Sequence, residues 1–232
     1  MTARYLRQTM LPEIGDEGQR RLSCAAVLVV GAGGLGSPVL LYLAGAGVGR
    51  IGIVDDDRVG VTNLHRQVLY TESDLGAPKA ECAARRLREM NGDIVVEPYA
   101  TRLDEENARG IVTRYDIVVD ACDNFATRYL VGDLTAEAGI PYVYGAIGGF
   151  EGQVSVFNHG PRPRRYRDLW PDERAMLRIE PPKGVAGVTP AVVGSVEASE
   201  TMKIICGYGE TLAGRLWTID LRTMQTQIVE LP

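Results

Sequence analysis

A chain of 232 residues, 45% hydrophobic and 24% charged, is long enough to bury a sizeable core as one large domain or two small ones. Its net charge of −5 argues against a nucleic-acid binder, which carries a basic excess. No apolar run approaches the roughly 18 residues of a membrane span and no leader pattern opens the chain, so a cytoplasmic protein without membrane contact is expected. Cys24, Cys82, Cys122 and Cys206 form no C-x-x-C pair, and with only His65 and His159 beside them no zinc-ligand spacing exists. Cys24 and Cys122 adjoin apolar strands and are expected to be buried and inert.

Residues 1–26 read as an N-terminal arm. Arg4 and Arg7 make a solvated face, and a short helix over 14–22 turns Ile14 and Leu22 inward. The β-branched and aliphatic run at 27–30 is a buried parallel strand that ends in Gly31-Ala32-Gly33-Gly34-Leu35-Gly36. Ser37 and Pro38 open a helix, where proline costs nothing, and residues 39–47 are apolar nearly all round, so that helix is buried on a sheet. Residues 51–54 form the second strand of a βαβ unit and end in Asp55-Asp56-Asp57. A polar loop over 58–77 carries Thr62, Asn63, His65, Arg66 and Gln67. Pro78 opens a helix to residue 90, with Ala80, Ala83, Ala84 and Leu87 on one stripe.

Strands over 94–97, 116–121 and 142–144 then alternate with helices over 105–112 and 125–138. Such alternation predicts an α/β fold with a Rossmann-like, doubly wound, mostly parallel sheet. Beyond it the pattern changes. Residues 152–158 alternate as a half-exposed strand, and 159–187 are proline-rich with little periodicity, which reads as a mobile surface loop. A helix over 190–205 and an antiparallel hairpin from 216–219 and 225–231 close the C-terminal third. No repeat or independent second domain interrupts this order, so 1–232 is read as a single domain.

Gly31, Gly33 and Gly36 fill the G-x-G-x-x-G spacing, and Asp55 stands nineteen residues after the last of them, where a ribose-binding carboxylate belongs. The N–H groups of such a turn and the helix end behind it face a phosphate. Alone, this signature selects a fold and a phosphate, not a reaction. Its company is more specific. Thr62, Asn63, Arg66, Lys79 and Asp123 fall just beyond the C-terminal ends of strands, the edge where open α/β sheets bind ligands. Two cations beside a phosphate cradle suit nucleotidyl transfer to or from a polyphosphate better than hydride transfer. Lys79 lies in the first turn of its helix, unfavourably for the dipole, which hints at a ligand anion. Asp123 either holds a magnesium ion bridging phosphate oxygens or caps the helix that begins at Phe125. Taken singly, Arg66 and Lys79 read as surface charges, and His65 has no partner nearby in sequence for general-base work.

Six motifs together narrow the field: Arg4-Tyr5-x-Arg7-Gln8, the glycine turn, Asp55-x-Asp57, Thr62-Asn63-x-x-Arg66-Gln67, Gly76-x-Pro78-Lys79-Ala80 and Asp120-Ala121-Cys122-Asp123-Asn124. With Gly187-Val188-Thr189-Pro190 and Glu200-x-x-Lys203, essentially the whole chain resembles the ThiF/MoeB/HesA family, bacterial relatives of the ubiquitin-activating enzymes. The resemblance implies a homodimeric, ATP-dependent adenylyltransferase. Its partner would be a small ubiquitin-like sulfur-carrier protein ending in Gly-Gly, of the thiamine or molybdopterin type. The carrier's terminal glycine carboxylate would attack the α-phosphate of ATP, releasing pyrophosphate.

By the same resemblance, ATP and Mg2+ are the cofactors. Gly31, Gly33, Gly34 and Gly36 would form the phosphate turn, with Gly34 at the phosphates, and Asp55 would bind the ribose. Thr62, Asn63, Arg66 and Lys79 would meet the phosphates, and Asp123 would hold magnesium beside Asn124. Arg7 would reach the γ-phosphate bound by the other subunit. Arg7, Arg66, Lys79 and Asp123 are thus the expected catalytic set. Two departures stand out. Arg165 and Asp168 occupy the place of a cysteine pair, so no zinc is expected. Glu180 occupies the place of a sulfur-handling cysteine, which argues against a persulfide or thioester step on this chain. A tRNA-modifying dehydratase relative and a catalytically silent nucleotide-binding scaffold are the alternatives. The acidic balance opposes the first, and the complete nucleotide constellation opposes the second.

Overall fold

The computed structural model describes residues 3–180 and 184–231. Helices α1 (Leu6–Thr9) and α2 (Gly15–Cys24) precede β1 (Ala26–Val30), α3 (Gly36–Ala46) and β2 (Arg50–Val54). Next come α4 (Lys79–Met90), β3 (Val95–Tyr99), α5 (Ala108–Val112), β4 (Ile117–Asp120), α6 (Phe125–Ala138) and β5 (Tyr142–Gly148). The chain continues through β6 (Glu151–Phe157), α7 (Tyr166–Leu169), α8 (Glu173–Met176), α9 (Val188–Cys206), β7 (Arg215–Asp220) and β8 (Gln225–Glu230). One eight-stranded sheet runs in the order β3-β2-β1-β4-β5-β6-β7-β8. It is parallel from β3 to β5 and antiparallel from there to β8, as the alternation and its late breakdown predict.

All five residues of β1 and all four of β4 are buried, which is why both read as unbroken apolar runs. Val30 sits opposite Val54 on β2 and Asp120 on β4, so the three strands end level and their following turns share one edge. The chain steps from β1 towards β2 and β3 on one side and towards β4 and β5 on the other. A crevice opens at such a switch point.

Helices α3, α4 and α9 cover one face of the sheet over a core that includes Leu40, Leu43, Leu87 and Val193. Because α3 is packed on β1 and flanked by α4 and α9 on the same face, it is apolar nearly all round. The other face is covered by α5, α6 and α7 over a core rich in tyrosine. Strand β5 runs on through Gly145 to Gly148, beyond the expected 142–144. Its antiparallel pairing with β6 continues from Tyr142↔Phe157 to Gly148↔Glu151, and this ladder supplies what glycine lacks in strand preference.

The expectation of a mobile surface loop over 159–187 needs correction. This stretch holds two four-residue helices, α7 and α8, and Tyr166 is only 1% exposed. The Tyr166 ring meets Tyr129 edge-on at 5.1 Å and also packs on Tyr142, Tyr144 and Phe157. A helix of four residues is too short to show a period, so the sequence concealed it. Residues 181–183 of this stretch lie outside the described residues. Cys24, expected to be buried, is exposed at the end of α2.

The packing of Tyr166 generates a test. Tyr166→Ala empties a site built for a large ring and should cost about 3–5 kcal/mol, read as a lower urea midpoint. Tyr166→Phe should cost nothing measurable, because the buried hydroxyl has no hydrogen-bond partner among the described residues.

Candidate active site

The level strand ends place three turns around one cleft of about 760 Å³. Its walls include Gly31, Gly33 and Gly34 after β1, Asp55 and Asp57 after β2, and Asp123 and Asn124 after β4. Arg66 and Lys79 complete the same rim. Gly31 has a φ of +100°, and a Cβ there would stand 2.5 Å from the Ala121 carbonyl oxygen, so the turn after β1 tolerates no side chain at its start. Gly34 packs close to Pro190 at the start of α9, where an added Cβ would come within 3.2 Å of the ring.

Asp55 is held from both sides. Its Oδ2 accepts from the Ala32 N–H at 2.8 Å and its Oδ1 from the Asp57 N–H at 2.9 Å. Burial pushes this carboxyl above its ordinary range, against those two N–H groups and the nearby Lys79 charge. Lys79 is not a surface cation: it is 4% exposed, and its Nζ donates to Asp57 Oδ2 at 2.8 Å. The Asp57 side chain keeps 68% exposure. The anion hinted at by Lys79's unfavourable place on its helix is therefore, in the first instance, Asp57. Arg66 is aimed by its own turn: Nη1 donates to the Thr62 carbonyl at 2.8 Å and lies 3.0 Å from His65 Nε2.

Asn124, not Asp123, caps α6. Its Oδ1 accepts from the Thr127 N–H at 2.9 Å. Asp123 is exposed, lines the cleft, and its carboxylate has no side-chain hydrogen bond among the described residues. A lone open carboxylate facing a phosphate-sized space fits magnesium, which takes few protein ligands and keeps water and phosphate oxygens.

Not every expected residue reaches the cleft wall. Asn63 Oδ1 accepts from the Gly60 N–H at 2.9 Å, so Thr62 and Asn63 build the turn that carries Arg66. Gly36 stands behind the wall against the Gly31 carbonyl, where no Cβ fits. Arg7 lies on α1, exposed and outside the cleft of its own chain.

Sequence reasoning missed the cleft's far wall. Phe125, Tyr144, Ile147, Gln153, Trp170 and Met176 extend it away from the glycine turn. Gln153 Nε2 donates to the Tyr144 hydroxyl at 2.6 Å. The half-exposed alternation of 152–158 was a usable signal for Gln153; nothing local marks Trp170 or Met176. Also missed was a charged cluster at the floor, where Arg128 meets Asp120 and Glu197 is fully buried with neither carboxyl oxygen hydrogen-bonded among the described residues. The Cys122 thiol, pushed well up by burial, stays protonated and unreactive.

Burial holds the Glu197 carboxyl well above the usual range, with the Asp120 charge acting in the same direction. Above the unfolded carboxyl's ordinary titration the folded state keeps one extra proton, so stability falls as pH rises until Glu197 itself ionises. Glu197→Gln removes that slope, which is up to ~1.4 kcal/mol per pH unit. Urea titrations from about pH 5 to about pH 8 should show the variant gaining on the wild type as pH increases.

Known proteins share the sequence and the fold of this chain. The ThiF family model matches residues 5–232. The chain is 52% identical over 226 residues to the sulfur carrier protein adenylyltransferase of Thermus thermophilus, covering 94% of this chain and 82% of that protein. It is 45% identical to the adenylyltransferase and sulfurtransferase MOCS3-1 of Zea mays over its whole length, but spans only 50% of that relative. Among solved structures, E. coli MccB with ATP superposes with a TM-score of 0.86 at 26% identity, covering 100% of this chain and 72% of that one. The chain belongs to the ThiF family.

Proposed function

We propose that this protein is an ATP-dependent adenylyltransferase that activates the C-terminal glycine carboxylate of a small ubiquitin-like sulfur-carrier protein. One observation carries the reading: a glycine turn, a ribose-competent Asp55, two cations and an open Asp123 line a single cleft that continues past Tyr144, Gln153 and Trp170. The first half fits a nucleotide. The second offers a slot of aromatic and amide side chains for an extended tail.

In this reading the glycine carboxylate oxygen forms a bond to the α-phosphorus as the bond to the β-phosphate oxygen breaks, and pyrophosphate leaves. No general base is needed, because the nucleophile is already an anion; the chain supplies position and charge. Arg66 and Lys79 offset charge on the leaving phosphates. Asp57, the more exposed member of its pair, returns to water when phosphate takes its place on Lys79. Magnesium held by Asp123 would supply charge neutralisation between phosphate oxygens. Arg7, outside its own cleft, acts on the nucleotide of a second copy in a homodimer.

The decisive measurement is ATP–pyrophosphate exchange. It should appear only with a carrier ending in Gly-Gly and fall by roughly 10²-fold or more in Asp123→Asn and in Arg66→Ala, with thermal melts unchanged. Exchange that never appears with any such carrier would overturn the reading. The trans role of Arg7 has its own test. Mixing inactive Arg7→Ala and Asp123→Asn subunits should restore about a quarter of wild-type exchange, because one intact site forms per mixed dimer.

A further inference from the structure

We propose that Arg128 is a positioning residue that aims the Asp123 carboxylate into the cleft through the backbone of Cys122, an inference that rests on the nucleotide reading above. The turn between β4 and α6 is clamped on both sides of one residue, Cys122. The Cys122 N–H donates to Asp120 Oδ1 at 3.0 Å, and the Cys122 carbonyl accepts from Arg128 Nη2 at 2.8 Å. Asn124 then fixes the other side of Asp123 by capping α6. The backbone before and after Asp123 is therefore held, while its side chain is left open towards the cleft.

The clamp is built from buried charge. Arg128 is 7% exposed and Asp120 2%, with Nε 3.3 Å from Asp120 Oδ2. The Tyr142 hydroxyl donates to that same Oδ2 at 2.7 Å and so orients the carboxylate. Glu197, neutral in its burial, adds no second negative charge, so one guanidinium balances one carboxylate. The Nη2 that holds Cys122 also reaches the Gly145 carbonyl on β5 at 3.2 Å. Arg128 thereby ties the Asp123 turn to the strand that carries Tyr144, whose ring lies 5.4 Å from the guanidinium. A planar fork spans these partners; a lysine point charge in the same place cannot hold both the carboxylate and the turn. A cation present only to fill space would have no reason to join two strand ends at the rim of the cleft.

The experiment titrates ATP by calorimetry, in EDTA and in magnesium, against the wild type, Asp123→Asn, Arg128→Lys and the double variant. If Arg128 works through Asp123, both single variants bind metal-free ATP within about twofold of wild type and lose about tenfold or more of the tightening that magnesium brings. The double variant then loses no more than Asp123→Asn alone, since both changes act through one carboxylate. A loss in Arg128→Lys that adds to that of Asp123→Asn, or that falls equally on metal-free ATP, shows a general structural role and overturns the inference. Wild-type protein whose ATP affinity ignores magnesium overturns the nucleotide reading of Asp123, and this inference with it. Should Arg128→Lys fail to fold, Tyr142→Phe loosens Asp120 while keeping the ion pair. It should lose about threefold of the magnesium tightening in the wild-type background and nothing further in Asp123→Asn; an unchanged tightening overturns the inference.

Discussion

The approach of Gly31 to the Ala121 carbonyl is the constraint on which the site depends. The ladder continues one step past the strands there: the Gly31 N–H donates to the Val54 carbonyl and the Ala121 N–H to the Val30 carbonyl, each at 2.8 Å. This brings the turn after β1 and the turn after β4 into contact, backbone on backbone. Any side chain at residue 31 would push them apart and widen the gap between the phosphate cradle and Asp123. The glycine fingerprint is usually read as room for a ligand. At its first position here it is room for the next strand's turn, and the ligand site follows from that contact.

The carboxylates that hold the two cleft cations differ in burial. At the rim, buried Lys79 pairs with an exposed Asp57, whose carboxylate returns to water if another anion takes its place. At the floor, the Asp120–Arg128 pair is almost wholly excluded from water, and losing one partner there would cost ~3–5 kcal/mol by stranding the other charge. Such a pair contributes little net stability compared with apolar packing. Its value lies in direction, since the guanidinium has carbonyl oxygens of two different elements to satisfy. The rim is thus set to exchange partners and the floor is set to stay fixed, an organisation suited to chemistry that works by position and charge.

Of the four cysteines, Cys82, Cys122 and Cys206 are buried and Cys24 is exposed. Cys122 lies closest to the cleft floor, but burial keeps its thiol protonated. Glu180, exposed beyond α8, offers a carboxylate and no thiol. At the place of the absent cysteine pair, the Arg165 N–H donates to Asp168 Oδ2 at 2.8 Å and caps α7. Arg167 bridges Asp133 and Glu173 nearby, and the Tyr166 ring pins the segment to the sheet. Local capping, ion pairing and one aromatic anchor together hold this crossing.

The sequence by itself determined the alternation of strands and helices, the glycine turn, and the loops that meet at one edge of the sheet. These rest on periodicity and on residues a few positions apart, so a linear reading captures them. It leaves Asp123 equally suited to cap a helix or to face a ligand, and Lys79, taken singly, reads as a surface charge. Only the tertiary structure decided that Asn124 does the capping, that Lys79 is buried against Asp57, and that Tyr166 belongs to the core. It alone revealed Arg128 and Glu197 at the floor, and Trp170 and Met176 along the far wall. Most of those contacts join residues twenty or more positions apart, and the short helices α7 and α8 carry no period of their own. Burial and pairing across such separations are set by how the sheet closes and its faces are covered, which no local pattern encodes.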